Sequence, residues 1–192
     1  MNVFVLCTGR SGSTTFINAC QYITNYTAGH ESRVHHLGHA RLAYPDWHIE
    51  ADNRLSWMLG RLGKKYGKEA FYVHLRRDEN ATAESFDNRW NLRESIITAY
   101  AEGILMRPKK KDVDMCLDYV RTVNQNIDYF LRDKPNQMEI RLKTAKADFK
   151  RFWKAIGAKG DLQAALAEWD SPSNTSKPPG LKARLRSLLR QI

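Results

Sequence analysis

The stretch VFVLC (residues 3–7) followed by TGRSGSTT (residues 8–15) decides the fold class of this chain. The first run is apolar throughout rather than alternating, which is typical of a strand covered on both faces in a parallel sheet. Two glycines then interrupt the strand, and Ser13 or Thr14 can cap a helix beyond them. The stretch therefore predicts a buried strand, a turn and a helix in immediate succession.

The rest of the chain continues this alternation of strand and helix. The residue patterns predict strands near 26–29, 47–51, 70–75 and 138–142, and helices over 53–67, 91–106, 112–132, 145–156 and 161–169. Strands that alternate with helices favour a parallel sheet with right-handed crossovers. We therefore expect a single α/β domain over residues 1–192, ending in a basic loop and helix at 171–192.

Composition excludes two classes of protein and indicates an anionic partner. Five Trp, eight Tyr and seven Phe among 192 residues exclude intrinsic disorder. No apolar run approaches the ~18 residues of a membrane-spanning helix, so no membrane span is expected. Lys and Arg number 31 against 21 Asp and Glu, and the formal charge of +10 indicates an anionic ligand or surface. The excess lies mainly after residue 140, unlike a general nucleic-acid footprint.

The cysteines indicate a reducing compartment. Cys7, Cys20 and Cys116 form no CxxC pair and cannot all pair with one another, so we expect buried free thiols. The opening residues MNVFVLC lack the basic segment of a signal peptide. Together these features predict a cytoplasmic location.

The loop after the first strand has the composition of a phosphate cradle. Glycine lets backbone amides approach an anion, and a helix start adds N–H groups at the positive end of its dipole. Arg10 adds a forked cation, and residues 13–15 add three hydroxyl donors. A Gly/Ser turn with an incidental arginine is the simpler alternative. The loop does not fit the P-loop of nucleotide triphosphatases, because Ser13 follows Gly12 where that motif requires lysine.

A second candidate anion site follows the strand at 70–75. That strand ends in Arg76-Arg77-Asp78, and Ser85 lies eight positions after Arg77, about two turns further if the segment is helical. Arg77 is therefore expected at the carboxyl end of a strand, where ligands of open α/β sheets bind. A pair of arginines at a strand end is otherwise ordinary surface charge.

Together, the two elements resemble the sulfotransferases that use 3′-phosphoadenosine-5′-phosphosulfate (PAPS). In that family, a Lys/Arg-Ser-Gly-Ser/Thr-Thr loop after the first strand holds the 5′-phosphosulfate. A strand-terminal Arg, with Ser eight residues later, holds the 3′-phosphate. Residues 10–14 match the first element, and Arg77 with Ser85 matches the second. Arginine at position 10 makes the loop similar to those of carbohydrate and bacterial sulfotransferases.

The resemblance implies a P-loop-like, three-layer α/β/α fold with a central, mostly parallel sheet of about four or five strands. It implies PAPS as the cofactor, 3′-phosphoadenosine-5′-phosphate (PAP) as its product, and no metal. The unit at 138–156 and a loop after residue 170 look like the family's C-terminal cofactor segment. The cofactor-binding residues implied are Thr8, Gly9, Arg10, Ser11, Gly12, Ser13, Thr14, Thr15, Arg77, Ser85, Asn174 and Ser176.

The reaction implied is transfer of a sulfuryl group, by in-line displacement, to a hydroxyl or amine of a carbohydrate or other small acceptor. Arg10 and the loop amides are placed to stabilise charge on the leaving phosphate. A general base is expected just past the second strand, where Gly29-His30-Glu31 lies. We prefer Glu31 to His30, because the Arg-type loop resembles enzymes with a carboxylate base. An exposed carboxylate at a helix start is the equal alternative for Glu31.

Two other functions stay open on the sequence. A small-molecule kinase or other P-loop-like phosphotransferase would need ATP and Mg²⁺, and the missing lysine disfavours it. A nucleic-acid-binding module would use the basic tail, but the leucines there favour an amphipathic helix, and no nucleic-acid motif is present. Zinc at His35 and His39 lacks a third ligand at a familiar spacing.

Overall fold

A five-stranded parallel sheet organises the structure, a computed structural model that describes residues 1–91, 95–108 and 110–170. The strand order is β2-β3-β1-β4-β5, and every neighbouring pair is parallel. The strands are β1 (Val3–Leu6), β2 (Thr27–His30), β3 (His48–Ala51), β4 (Phe71–Arg76) and β5 (Gln137–Arg141). The predicted α/β fold with a parallel sheet is confirmed.

Helices cover both faces of the sheet. They are α1 (Ser13–Cys20), α2 (Leu59–Tyr66), α3 (Glu79–Asp87), α4 (Ile96–Thr98), α5 (Val113–Leu131), α6 (Ala145–Ala155) and α7 (Leu162–Ala167). α1, α6 and α7 share one core with the sheet, and α2, α3 and α5 share the other. Short 3₁₀ turns lie at Gly38–Leu42, Asn53–Trp57 and Leu142–Thr144. The result is the three-layer α/β/α arrangement that we expected.

Burial on both faces explains the continuous apolar run of β1. Val3 and Val5 belong to the core under α1 and α6, and Phe4 and Leu6 belong to the opposite core. All four side chains are fully buried. An alternating strand could not fill both cores, so the run specifies a central strand.

Two predicted helices are shorter in the structure. The segment 53–67 is divided into a 3₁₀ turn, whose N-cap Asp52 accepts a hydrogen bond from the Arg54 amide (2.8 Å), and α2. In the described part of 91–106, α4 has only three residues, and a π-helical turn at Ala99–Ile104 follows it. The basic loop and helix predicted at 171–192 lie outside the described residues.

The parallel strands place all five carboxyl ends along one edge of the sheet. The crossover from β1 to β2 passes over β3, and the crossover from β3 to β4 passes over β1 in the opposite direction. Open α/β sheets bind ligands at this edge, where the direction of the connections reverses. The loop after β1 is therefore at the centre of the candidate site.

Two sequence predictions concern the state of the three cysteines and the presence of a membrane-spanning helix. Cys7, Cys20 and Cys116 are buried free thiols, as predicted. Burial raises the pKa of the Cys7 thiol to about 11. Across the described ranges, no helix combines the length and the apolar character needed to cross a membrane.

Candidate functional site

The loop after β1 bends sharply through left-handed backbone conformations. Gly9, Arg10 and Gly12 have φ values of 82°, 57° and 97°. A Cβ at Gly9 would lie 2.6 Å from Asn53 Nδ2, so that position accepts only glycine without a shift of its neighbour. Left-handed backbone is unfavourable for a residue with a side chain, so the surrounding contacts must hold Arg10 in place.

Gly12, rather than Ser13 or Thr14, is the residue that precedes α1. The N-cap residue is therefore a glycine with no side chain to cap the helix, and the prediction that Ser13 or Thr14 is the cap is wrong. The cause is the left-handed conformation of Gly12, which starts the helix directly after the bend, with the Phe16 amide donating to the Gly12 carbonyl (2.9 Å). The first residues of the helix line the cavity, and the N–H groups of a helix N-terminus suit an anion.

A cavity of about 820 Å³ opens over the N-terminus of α1. Its walls come from the loop after β1 and the start of α1, from α3 and the residue after β4, from the junction of β5 with α6, and from the residues after α7. The lining residues are Arg10, Gly12, Ser13, Thr14, Thr15, Arg77, Glu84, Ser85, Asn88, Leu142, Lys143, Thr144, Ala145, Lys146, Ala147, Trp169 and Asp170. Seven of the predicted cofactor-binding residues therefore line this cavity.

Direct hydrogen bonds join the two predicted anion-binding elements. Arg10 Nε donates to Ser85 Oγ at 3.0 Å, and Arg77 Nη1 donates to the Arg10 carbonyl at 3.2 Å. Arg10 and Arg77 are partly buried, and Ser85 is buried. Arg77 and Ser85, which the eight-residue spacing selected, thus both contact Arg10 of the first loop at the cavity wall.

Positive charge is concentrated at this junction. Burial lowers the pKa of the Arg10 guanidinium, and the nearby charges of Arg89 and then Arg77 lower it further. Arginine stays protonated in proteins, so three like charges are held close together. A multiply charged anion placed among them would relieve this repulsion through charge-assisted hydrogen bonds.

Some predicted residues shape the loop rather than line the cavity. Thr8 Oγ1 donates to the Gly9 carbonyl (2.8 Å), and the Thr8 carbonyl accepts a hydrogen bond from Tyr119 Oη (2.7 Å). Thr8, Gly9 and Ser11 are buried and are not among the described lining residues. Asn174 and Ser176 lie outside the described residues.

The junction of β5 with α6, within the unit at 138–156 that resembles the family's cofactor segment, supplies cavity residues that the sequence analysis did not name individually. Lys143 and Lys146 line the cavity, and Lys146 Nζ pairs with Asp170 at 2.5 Å. Trp169 also lines the cavity, and its buried Nε1 has no hydrogen-bond partner among the described residues. The basic residues that follow the predicted strand at 138–142 were the available sequence signal.

His30 and Glu31, at the end of β2, are not among the described residues that line the cavity. His30 Nε2 is 3.0 Å from Ser13 Oγ, so the histidine contacts the first residue of α1, which lines the cavity. Glu31 has a φ of 52°, and its Oε2 accepts a hydrogen bond from Arg54 Nη1 at 2.8 Å. Both side chains of this ion pair are about one-third exposed, at 31% for Glu31 and 33% for Arg54. Sequence reasoning missed Arg54, which carried no motif.

The turn that carries Arg54 is hydrogen-bonded to a buried ion pair between Asp52 and Arg41. The Arg54 amide donates to Asp52, whose other oxygen pairs with Arg41, and Arg41 Nη1 donates to Tyr44 Oη at 3.1 Å. Burial raises the pKa of Asp52, while Arg41 acts in the opposite direction. The 3₁₀ turn that presents Arg54 to Glu31 is therefore anchored in the interior.

Metal-binding residues do not cluster in the ranges the structure describes. Within residues 1–91, 95–108 and 110–170, no group of three His, Cys, Asp or Glu side chains is arranged to hold a metal ion. His35 and His39, the pair considered for zinc, are both exposed.

Comparison with known proteins adds a structural likeness. Neither the protein-family models nor the curated proteins give a match. Among solved structures, mouse sulfotransferase SULT7A1 complexed with PAP is similar over 92% of this chain and 68% of that chain, with a TM-score of 0.56 and 14% sequence identity. The fold is sulfotransferase-like. At this level of identity, the likeness concerns the fold alone.

Proposed function

We propose that this protein is a PAPS-dependent sulfotransferase. The observation that carries the proposal is the direct contact of Arg10 with Ser85 and Arg77 at one cavity. The two proposed anion-binding elements, separated by more than sixty residues in the chain, both line this cavity. A ligand with two separate anionic groups, such as PAPS, suits this arrangement better than a single phosphate does.

The residues present fit such a ligand. The N-terminus of α1 faces the cavity, and Ser13, Thr14 and Thr15 line it. A Cβ at Gly12 would lie 2.9 Å from Leu142 Cδ1, so glycine lets the loop approach Leu142 without a clash. Amides, hydroxyls and guanidinium groups are all donors, which is the chemistry that phosphate and sulfate oxygens require.

The binding roles divide between the two elements. Arg10 and the start of α1 would hold the 5′-phosphosulfate, and Arg77 with Ser85 would hold the 3′-phosphate. Bound PAPS supplies the sulfuryl group that the acceptor takes by in-line displacement. Arg10 would stabilise the negative charge that develops on the leaving phosphate, and its Nε bond to Ser85 fixes the orientation of the guanidinium for this task.

Glu31 is our proposed general base. Arg54 holds one carboxylate oxygen and so orients the group at the carboxyl edge of the sheet. A carboxylate accepts several hydrogen bonds, so Glu31 can take the acceptor proton while this ion pair persists. His30, which contacts Ser13, is the second candidate for the base. The acceptor would be a carbohydrate or another small molecule with a hydroxyl or amine.

A thermal-shift screen tests the ligand class. We expect PAP to raise the melting temperature in the presence of EDTA, because the proposed donors are all protein groups. Stabilisation only by ATP with Mg²⁺ would instead indicate a phosphotransferase. Stabilisation only by polynucleotides, steeply weakened by salt, would indicate a nucleic-acid-binding module.

A further inference from the structure

Glu50, on β3, is a fully buried carboxylate with no part in the proposed chemistry. Its Oε1 accepts a hydrogen bond from the Ser32 amide at 2.7 Å, and its Oε2 accepts one from Ser32 Oγ at 2.6 Å. Burying a carboxylate is costly unless it is well hydrogen-bonded. The two bonds to Ser32 meet that requirement and fix the residue that follows Glu31.

The same carboxylate also fixes the other side of the His30–Glu31 pair. A Cβ at Gly29 would lie 2.8 Å from Glu50 Oε2, so the carboxylate packs directly against the Gly29 backbone. Glu50 therefore contacts both residues that flank His30 and Glu31. Between those contacts, the Glu31 amide donates to the Ala51 carbonyl at 3.0 Å.

His48, on the same strand, contacts the Glu50 carboxylate. His48 Nε2 lies 2.9 Å from Glu50 Oε2, and His48 Nδ1 lies 2.7 Å from Thr27 Oγ1. The imidazole also stacks on Tyr44, with ring centroids 5.4 Å apart and an interplanar angle of 11°. Thr27, His48 and Glu50 thus form a packed polar chain that ends at Ser32.

We infer that Glu50 is a positioning residue for Glu31. The left-handed backbone of Glu31 is unfavourable by itself, and the bonds of Glu50 to Ser32 keep the chain in this turn. The turn directs the Glu31 carboxylate to Arg54. Glu50 is fully buried, so it acts on Glu31 indirectly, through its hydrogen bonds to Ser32. This inference rests on the proposed role of Glu31 as the base.

Loss of Glu50 is expected to affect turnover more than cofactor binding. Glu50→Ala removes both bonds to Ser32, and a displacement of the base by about 1 Å can cost about 100-fold in kcat. Glu50→Gln keeps one carbonyl oxygen for the Ser32 amide, so we expect partial rescue, with kcat between those of Glu50→Ala and the wild type. Ser32→Ala removes only the hydroxyl bond, and we expect a fall in kcat of a few-fold. PAP affinity is expected to stay within about two-fold in all three, because none lines the cavity.

The test combines kinetics with a readout that does not need activity. Hydrogen exchange of the Ser32 amide is expected to be at least about tenfold faster in Glu50→Ala than in the wild type, because its acceptor is lost. In a Glu31→Gln background, Glu50→Ala is expected to lower kcat no further. Asp128→Asn is the control, since it alters another His–carboxylate contact (His74, 3.0 Å) away from Glu31. We expect this control to leave kcat unchanged.

The outcomes separate this inference from the proposed function. Folded wild-type protein that neither transfers a sulfuryl group nor binds PAP would refute the function. With an active wild type, an unchanged kcat in both Glu50→Gln and Ser32→Ala, or an equal loss of kcat and PAP affinity, would overturn the positioning role. An undiminished effect of Glu50→Ala in the Glu31→Gln background would also overturn it. If Glu50→Ala fails to fold, Glu50→Gln and Ser32→Ala decide the question.

Discussion

Replacement of Arg77 by alanine is expected to weaken PAP binding about 10- to 100-fold. The guanidinium lies at the cavity wall and donates to the Arg10 carbonyl. A hydrogen bond to a charged group contributes about 1.5–3 kcal/mol, and about 1.4 kcal/mol corresponds to a factor of ten in affinity. The substitution leaves no buried cation unpaired, because it removes the cation itself.

Arg76→Ala is the matched control. Arg76 is the preceding residue and the last of β4, and it pairs with Glu79, Asp128 and Glu139 at 3.3–3.7 Å. These pairs are partly exposed, so their loss is expected to lower stability by at most about 1 kcal/mol and to leave PAP affinity unchanged. The comparison tests the spacing argument, which selected the second arginine over the first.

Calorimetry and thermal unfolding give the two readouts. At PAP equal to 100 times the wild-type Kd, the ligand stabilises the wild type by about 2.7 kcal/mol. At the same concentration, the predicted loss of affinity leaves about 0.4–1.4 kcal/mol in Arg77→Ala. Wild-type affinity in Arg77→Ala, or an equal loss in Arg76→Ala, would refute the reasoning.

Three further predictions concern the loop after β1 and Cys7, the residue that precedes it. Arg10→Ala is expected to weaken PAP binding and also to lower kcat by about 10²- to 10³-fold, as for loss of an oxyanion donor, measured by steady-state kinetics. Gly9→Ala is expected to destabilise the fold by about 1–3 kcal/mol in denaturant unfolding, because its φ is 82° and Asn53 is too close. Its control, Gly60→Ala in open space on α2, is expected to stabilise by about 0.4–1 kcal/mol. The Cys7 thiol, with a pKa of about 11, is protonated at pH 8 and is expected to resist alkylation until the protein unfolds, as followed by mass spectrometry.

Local patterns in the sequence were sufficient to predict the centre of the fold. The apolar run 3–7 specified a central strand, because both faces of β1 are buried. The spacing of Arg77 and Ser85 placed both beside the first loop, because a strand end and two helical turns fix their separation. These predictions depend on short-range geometry, which residue order encodes directly.

The remaining site features depend on strand order, which residue order does not show. β3 lies between β1 and β2. Glu50 on β3 and Arg54 in the turn after β3 therefore reach the segment that follows β2. Lys143 reaches the cavity because β5 lies beside β4. Each of these contacts joins elements that are distant in the chain, and none has a local motif.

The most direct test of the central claim is transfer of radiolabelled sulfate from PAPS to pooled carbohydrate and small-molecule acceptors, with EDTA present. We predict label in an acceptor with wild-type protein, a rate reduced by about 10²- to 10⁴-fold with Glu31→Gln, and PAP affinity unchanged in that variant. No transfer by a folded wild-type protein that also fails to bind PAP would contradict the proposed function.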